Sequence, residues 1–124
     1  DLLEVLKNWS YRPPRKFRGV LHCFSGSWAD AGAGLDLGLA LGVNGTFTYK
    51  KNDDLRETVK KAGLDNIVLE TDCPYLPPQF SRGKRNDPSY LPEIAAMVAT
   101  HLGAGNSQVA DRTTANAFEL FGQF

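Results

Sequence analysis

Apolar positions along the chain alternate between two rhythms, one helical and one extended, and this alternation defines the class of fold. Asp1 to Trp9 places Leu2, Leu3, Val5, Leu6 and Trp9 on one helical face, and Pro13-Pro14 follows as a stop. A short amphipathic helix is predicted there. Phe17 to Phe24 is a brief apolar run that ends in His22-Cys23-Phe24 and passes into Ser25-Gly26-Ser27, the pattern of a buried strand emerging into a loop. Helical character returns over Trp28 to Leu37, rich in Ala and Leu although Gly32 and Gly34 interrupt it, and stops near Gly38. Leu39 to Phe47, containing Val43-Asn44-Gly45-Thr46-Phe47, predicts a second strand.

Asp53-Asp54 open the next helix, which runs through Leu55, Val59 and Ala62 to Lys60-Lys61 in its last turn, with Gly63 just beyond. The acids and lysines oppose the helix dipole at its two ends. Asn66 to Asp72 predicts a third strand, apolar at Ile67-Val68-Leu69 and polar at Glu70-Thr71-Asp72. Tyr90 to Leu102 reads as a helix with Pro92 in its first turn and Gly103 after its end, and Ser107 is placed to cap a last helix reaching Phe121.

Strands that are apolar throughout and separated by helices require a parallel sheet with right-handed crossovers and both faces covered. The fold class is α/β. Three parallel strands alone leave two edges unpaired, and a closed (β/α)8 barrel typically takes about 250 residues, roughly twice this length. A part of a (β/α)8 TIM barrel is therefore expected. The sequence starts at Asp1 and its only methionine is Met97, so more chain upstream is expected as well.

Composition narrows the function classes. With 14 Lys+Arg against 14 Asp+Glu and 42% hydrophobic residues, the 124-residue chain has an ordinary globular composition and no net charge. This balance argues against nucleic acid held by bulk electrostatics, which leaves local clusters of charge as the relevant feature. A chain of this size removes roughly two thirds of its unfolded surface from water, so stability demands no cofactor. No apolar run approaches the roughly 18 residues that span a bilayer, and the N-terminus lacks the regions of a secretory signal, so a cytoplasmic protein without membrane contact is expected. Cys23 and Cys73 are too few for a disulfide framework and read as reduced thiols.

Catalytic groups in parallel α/β architectures gather at the carboxyl ends of strands, where His22, Glu70 and Asp72 lie. Strand alternation puts Glu70 and Asp72 on one face with Thr71 and Cys73 on the other, and sets Cys23 opposite His22. Both thiols are then expected on the helix side, roughly 9 to 10 Å apart. A histidine and a carboxylate from different strands suit a divalent ion, although a catalytic zinc takes three protein ligands and a two-metal site needs more. The alternative is a hydrogen-bonded core His22 with Asp72 capping the turn at Pro74. His101 closes a helix beside Gly103, where a cation suits the dipole. The connection from Pro74 to Ser89 far exceeds the usual 2 to about 6 residues and contains Arg82-Gly83-Lys84-Arg85-Asn86, a phosphate-binding pattern or else a solvated charge cluster. Arg12, Arg15, Lys16 and Arg18 precede a strand, so they belong to the opposite face and read as surface charge.

Four motifs together resemble the C-terminal half of the TatD-type metal-dependent deoxyribonucleases, a branch of the amidohydrolase-like barrels. They are His22-Cys23-Phe24-Ser25-Gly26-Ser27; Glu70-Thr71-Asp72-Cys73-Pro74-Tyr75-Leu76; Arg82-Gly83-Lys84-Arg85-Asn86 with Pro88 and Tyr90-Leu91; and Thr113, Asn116, Leu120, Phe121 and Gly122. The resemblance implies that residues 1–124 are the C-terminal portion of a single TIM-barrel hydrolase domain, with strands six to eight near His22, Asn44 and Asp72 and the fifth helix at the start. It implies His22 and Asp72 as metal ligands, Asp72 also as general base, and Glu70 as the group that orients water or a ligand. It further implies that Arg82, Lys84, Arg85 and Asn86 meet the substrate backbone. The activity implied is hydrolysis of DNA phosphodiester bonds, directed at 3′ ends, with one or two divalent ions among which zinc, magnesium and manganese are not distinguished. The implied partner is DNA, through its phosphates, together with the rest of the barrel, while the open sheet edges by themselves also allow another copy to cover them. The family's paired histidines of the first strand, glutamate of the fourth and histidine of the fifth have no counterpart here, so this segment by itself is expected to be inactive. Three other readings stand beside it: a different ester or amide hydrolase of amidohydrolase type, a non-catalytic remnant that still binds a nucleic-acid backbone, and a purely structural half barrel that pairs with another copy to cover its open sheet edges. The cationic loop favours DNA over the first of these.

Overall fold

The computed structural model describes residues 2–9 and 14–122. Asp1, Arg12 and Pro13, which carry parts of the sequence reading, lie outside the described residues. The elements run α1 (Leu2–Lys7), β1 (Gly19–Leu21), α2 (Trp28–Asp36), β2 (Leu39–Val43), α3 (Asp53–Ala62), β3 (Ile67–Leu69), α4 (Leu91–Leu102) and α5 (Asn106–Phe121). Short 3-10 turns occupy Gly45–Thr48, Leu64–Asn66, Gln79–Ser81 and Pro88–Tyr90. The three strands form one parallel sheet in the order β1-β2-β3, with Val20 opposite Ala40 and Gly42 opposite Val68. The alternation of strand and helix thus produces the parallel α/β arrangement that the apolar pattern predicts.

The strands are shorter than their apolar runs. Pairing continues past β1 on both sides through Arg18 N–H to the Gly38 carbonyl at 2.8 Å and Phe24 N–H to the Gly42 carbonyl at 3.0 Å, but regular strand geometry stops at Leu21. The run predicted to Phe47 leaves the sheet after Val43, because the Asn44 side chain accepts the Thr46 N–H at 2.9 Å and folds Gly45–Thr48 into a 3-10 turn. The predicted cap of the last helix is also corrected. Gly105 occupies the cap position, its carbonyl accepting from the Val109 N–H at 3.0 Å, and Ser107 lies inside the first turn.

Two faces of the sheet have different partners. Leu41, Val43 and Ile67 join Phe47, Leu55, Val59, Val98 and Val109 in the main core under the helices. Val20, Ala40 and Val68 point the other way by alternation and pack with Phe17 and Leu120 in a smaller cluster. That second face is the one that continues into His22, Glu70 and Asp72. Gly34, an interruption in the helical pattern of α2, is explained by close approach: a Cβ there would stand 2.5 Å from Leu21 Cδ1 on β1. The N-terminus of α2 is held by a reciprocal capping box between Ser27 and Asp30. Among the described residues no helix is long and apolar enough to cross a membrane.

Candidate metal centre

His22 follows the last residue of β1, and the backbone then turns at Cys23, whose φ of 50° lies in the left-handed region. The turn aims the Cys23 N–H at Glu70 Oε1, 2.5 Å away. It also brings Cys23 Sγ within 3.1 Å of Asn44 Nδ2. The expectation that both thiols face the helices is therefore corrected for Cys23, because strand alternation ends one residue too early to apply to it. Cys73 is exposed, and both cysteines are free.

Glu70 reaches across β2 rather than standing on its own strand. Its carboxyl passes directly over Gly42, where a Cβ would lie 2.5 Å from Oε2. On the other side, His22 Nε2 stands 3.0 Å from Asp72 Oδ1 and 3.9 Å from Glu70 Oε2. The second Asp72 oxygen accepts from Asn44 Nδ2. The imidazole is 65% exposed while the Glu70 and Asp72 side chains are 16% and 12% exposed, so the cluster opens on the histidine side.

Burial raises the Glu70 carboxyl above the usual range, the Asp72 charge adds to this, and the Cys23 N–H and His22 act against it. Burial likewise pushes the Cys23 thiol up, offset by its hydrogen bond from Asn44 and reinforced by the negative charge of Asp72 and Glu70. Two nearly buried carboxyls facing one imidazole form a site short of positive charge. One imidazole nitrogen and two carboxylate oxygens, all within 4.8 Å of one another, are the donor set that a divalent cation accepts, so these residues fit such an ion.

Sequence reasoning did not select Asn44 as a site residue, yet it is 2% exposed and bonded to both Asp72 and Cys23. The signal was available: Asn44 is the polar residue that ends an apolar strand, as His22 and Asp72 are. The segment after β3 has a divided structure. Asn86 is buried and commits its amide to the loop, donating to the Tyr75 and Leu76 carbonyls at 2.6 and 3.4 Å and accepting from the Asp87 N–H at 2.9 Å. Arg82, Lys84 and Arg85 are exposed on the loop that Asn86 closes. None of the four hydrogen-bonds or ion-pairs with His22, Glu70 or Asp72, whose partners are Cys23, Asn44 and one another. At the other end of the strands, Arg15 donates to the Leu120 carbonyl at 3.4 Å and Arg18 to the Leu37 carbonyl at 3.2 Å, positions that satisfy helix-end carbonyls. His101 sets its ring edgewise on Phe47, with centroids 5.5 Å apart.

Parallel strands that carry a histidine and two carboxyls beyond their carboxyl ends define the chain as a segment of an α/β barrel with a candidate metal centre. Comparison with solved structures agrees: YJJV, a TatD homologue from Escherichia coli K12, superposes with a TM-score of 0.80 at 31% identity, over 86% of this chain and 41% of that one. A TatD family hydrolase from Entamoeba histolytica shares the fold at a TM-score of 0.72 and 22% identity, over 85% of this chain and 42% of that one. The chain belongs to the TatD related DNase family, which matches residues 1–122. An uncharacterized metal-dependent hydrolase, YabD, of Bacillus subtilis (strain 168) is 38% identical over 98% of this chain and 46% of its own length. A protein named 3'-5' ssDNA/RNA exonuclease TatD from Klebsiella pneumoniae (strain 342) is 38% identical over 97% of this chain and 46% of its own length. The chain thus spans about half the length of the curated relatives it matches.

Proposed function

We propose that this chain acts as the C-terminal portion of a TatD-type barrel that hydrolyses phosphodiester bonds of single-stranded DNA from its 3′ end, using a divalent metal ion. The observation that carries the reading is the convergence of His22, Glu70 and Asp72 beyond the carboxyl ends of parallel strands. The relative named an exonuclease supports the substrate class. The outer edges of β1 and β3, each strand having one partner in the described sheet, are where further strands of a family-length barrel would pair.

An ion held by His22, Glu70 and Asp72 would supply Lewis-acid stabilisation of charge on the phosphoryl and leaving oxygens. The chain's own groups do the rest. Asn44 holds one Asp72 oxygen and so fixes the carboxylate beside His22, where Asp72 would take the proton of the attacking water. Cys23 N–H fixes Glu70 over Gly42, so the carboxyl has one orientation. Arg82, Lys84 and Arg85 supply positive charge on the exposed loop for the phosphate backbone.

The test is Asp72→Ala in the family-length protein containing this segment, assayed on 3′-labelled single-stranded DNA with manganese or magnesium. Loss of cleavage by about 100-fold or more is expected, in line with removing a general base. Wild-type rates in that variant would overturn the assignment.

A further inference from the structure

The turn after β2 and the loop after β3 form an open cavity of about 390 Å³ lined by Tyr49, Lys50, Lys51, Asn52, Gln79 and Arg82. Its size falls within the range of small-ligand sites, which is about 300 to 1,000 Å³. Lys50, Lys51 and Arg82 are cations, and no acid lines the cavity. Among the described residues no carboxylate makes an ion pair with any of the three. The Arg82 guanidinium lies over the Tyr49 ring, 4.4 Å from its centroid. This cation–π contact restrains the guanidinium, and among the described residues no hydrogen bond or ion pair engages its N–H groups, which can bind a phosphate in a bidentate way.

The walls of the cavity are rigidly built. Arg56 is 6% exposed and divides its guanidinium between the carbonyls of Phe47, Tyr49 and Lys50, at 2.9, 2.6 and 3.3 Å, and the Asp53 carboxylate at 2.6 Å, whose charge it offsets. The carbonyls that would repel an anion are thereby occupied by Arg56. The two loops are also tied together: Gln79 N–H donates to Thr48 Oγ1 at 2.7 Å, and Lys50 N–H to Gln79 Oε1 at 3.3 Å. At Gly45 they approach so closely that a Cβ would collide with the Leu76 carbonyl oxygen. Asn44, which bonds Asp72, is five residues before Tyr49, so the Cα atoms of these two residues are at most about 18 Å apart. That distance is spanned by a few nucleotides.

We infer that this cavity is a subsite for a second, uncleaved phosphate of the single strand, bound by Arg82, Lys50 and Lys51, with Tyr49 as the residue that positions Arg82. The inference rests on the nuclease reading above and adds to it three residues and a location. It gives the strand a second anchor while its terminal phosphodiester occupies the metal centre, and so makes a mononucleotide a poorer ligand than a short oligonucleotide.

The experiment measures fluorescence anisotropy of labelled oligo-dT with the family-length protein containing this segment in excess chelator, where no cleavage occurs, across a series of salt concentrations. Tyr49→Ala should weaken binding about three- to fivefold, and Tyr49→Phe, which keeps the ring, should restore it. The double variant Lys50→Ala/Lys51→Ala, at two exposed positions, should weaken binding and lower the salt slope by about 0.7 for each phosphate that is no longer neutralised. In the metal-loaded enzyme these variants should raise KM while kcat stays near wild type. If wild type binds and cleaves the strand while Tyr49→Ala and the double lysine variant match it in affinity and salt slope, the subsite is wrong and the nuclease reading stands. If wild type neither binds nor cleaves single-stranded DNA, both are wrong.

Discussion

Gly42 contributes to the site by having no side chain. The Glu70 carboxyl occupies the space a Cβ would take, with its three nearest atoms 2.5 to 2.7 Å from that position. Gly42→Ala is therefore expected to displace Glu70 and to cost about 1 to 3 kcal/mol of stability through overpacking, measurable as a lower urea midpoint and weaker metal uptake. Asn44→Ala removes the donor to one Asp72 oxygen and leaves a nearly buried carboxyl oxygen unpaired, an expected loss of about 1 to 3 kcal/mol by the same measurement. Most of the site was legible at this scale because polar residues ending apolar strands are costly unless they have a task. His22, Glu70 and Asp72 emerged from that rule, whereas Cys23 could not, since its left-handed backbone reverses the alternation on which the rule relies.

Elements are specified mostly by their ends. The Ser27–Asp30 box starts α2, and the hydrogen bonds from Ser27 hold the Asp30 carboxyl below its ordinary value of 3.8. The folded state then binds this proton less tightly than the unfolded chain. The stabilisation is fully present above the ordinary value and is lost as pH falls through the lower folded value. Asp30→Asn should accordingly reduce the urea midpoint at pH 7 and converge with wild type in acid, and an equal gap at both pH values would refute the linkage. Strand lengths were less legible than helix starts. An apolar run marks what is buried, and residues such as Phe24 and Phe47 stay buried beyond the ends of the regular strands. Where the run ends is decided instead by local hydrogen bonding, as the Asn44 side chain shows at the end of β2.

At the scale of the whole molecule, folding and site formation are linked. The cluster is assembled from segments beyond two different strands, so an ion that binds it stabilises the folded chain alone, by about 2.7 kcal/mol at 100 times its Kd. A divalent cation is expected to raise Tm in wild type and to leave Tm unchanged in His22→Ala, read by thermal denaturation with and without chelator. The sequence by itself determined the order of elements, the parallel α/β class, the family and three residues of the candidate centre, because periodicity, helix ends and polar strand termini are local properties. Only the tertiary structure decided that Glu70 crosses Gly42, that Cys23 turns toward Asn44, that Asn86 is spent on closing its own loop, and that Tyr49 meets Arg82. Each of these joins residues far apart in the chain or depends on one backbone angle, and neither leaves a periodic trace in the order of the residues.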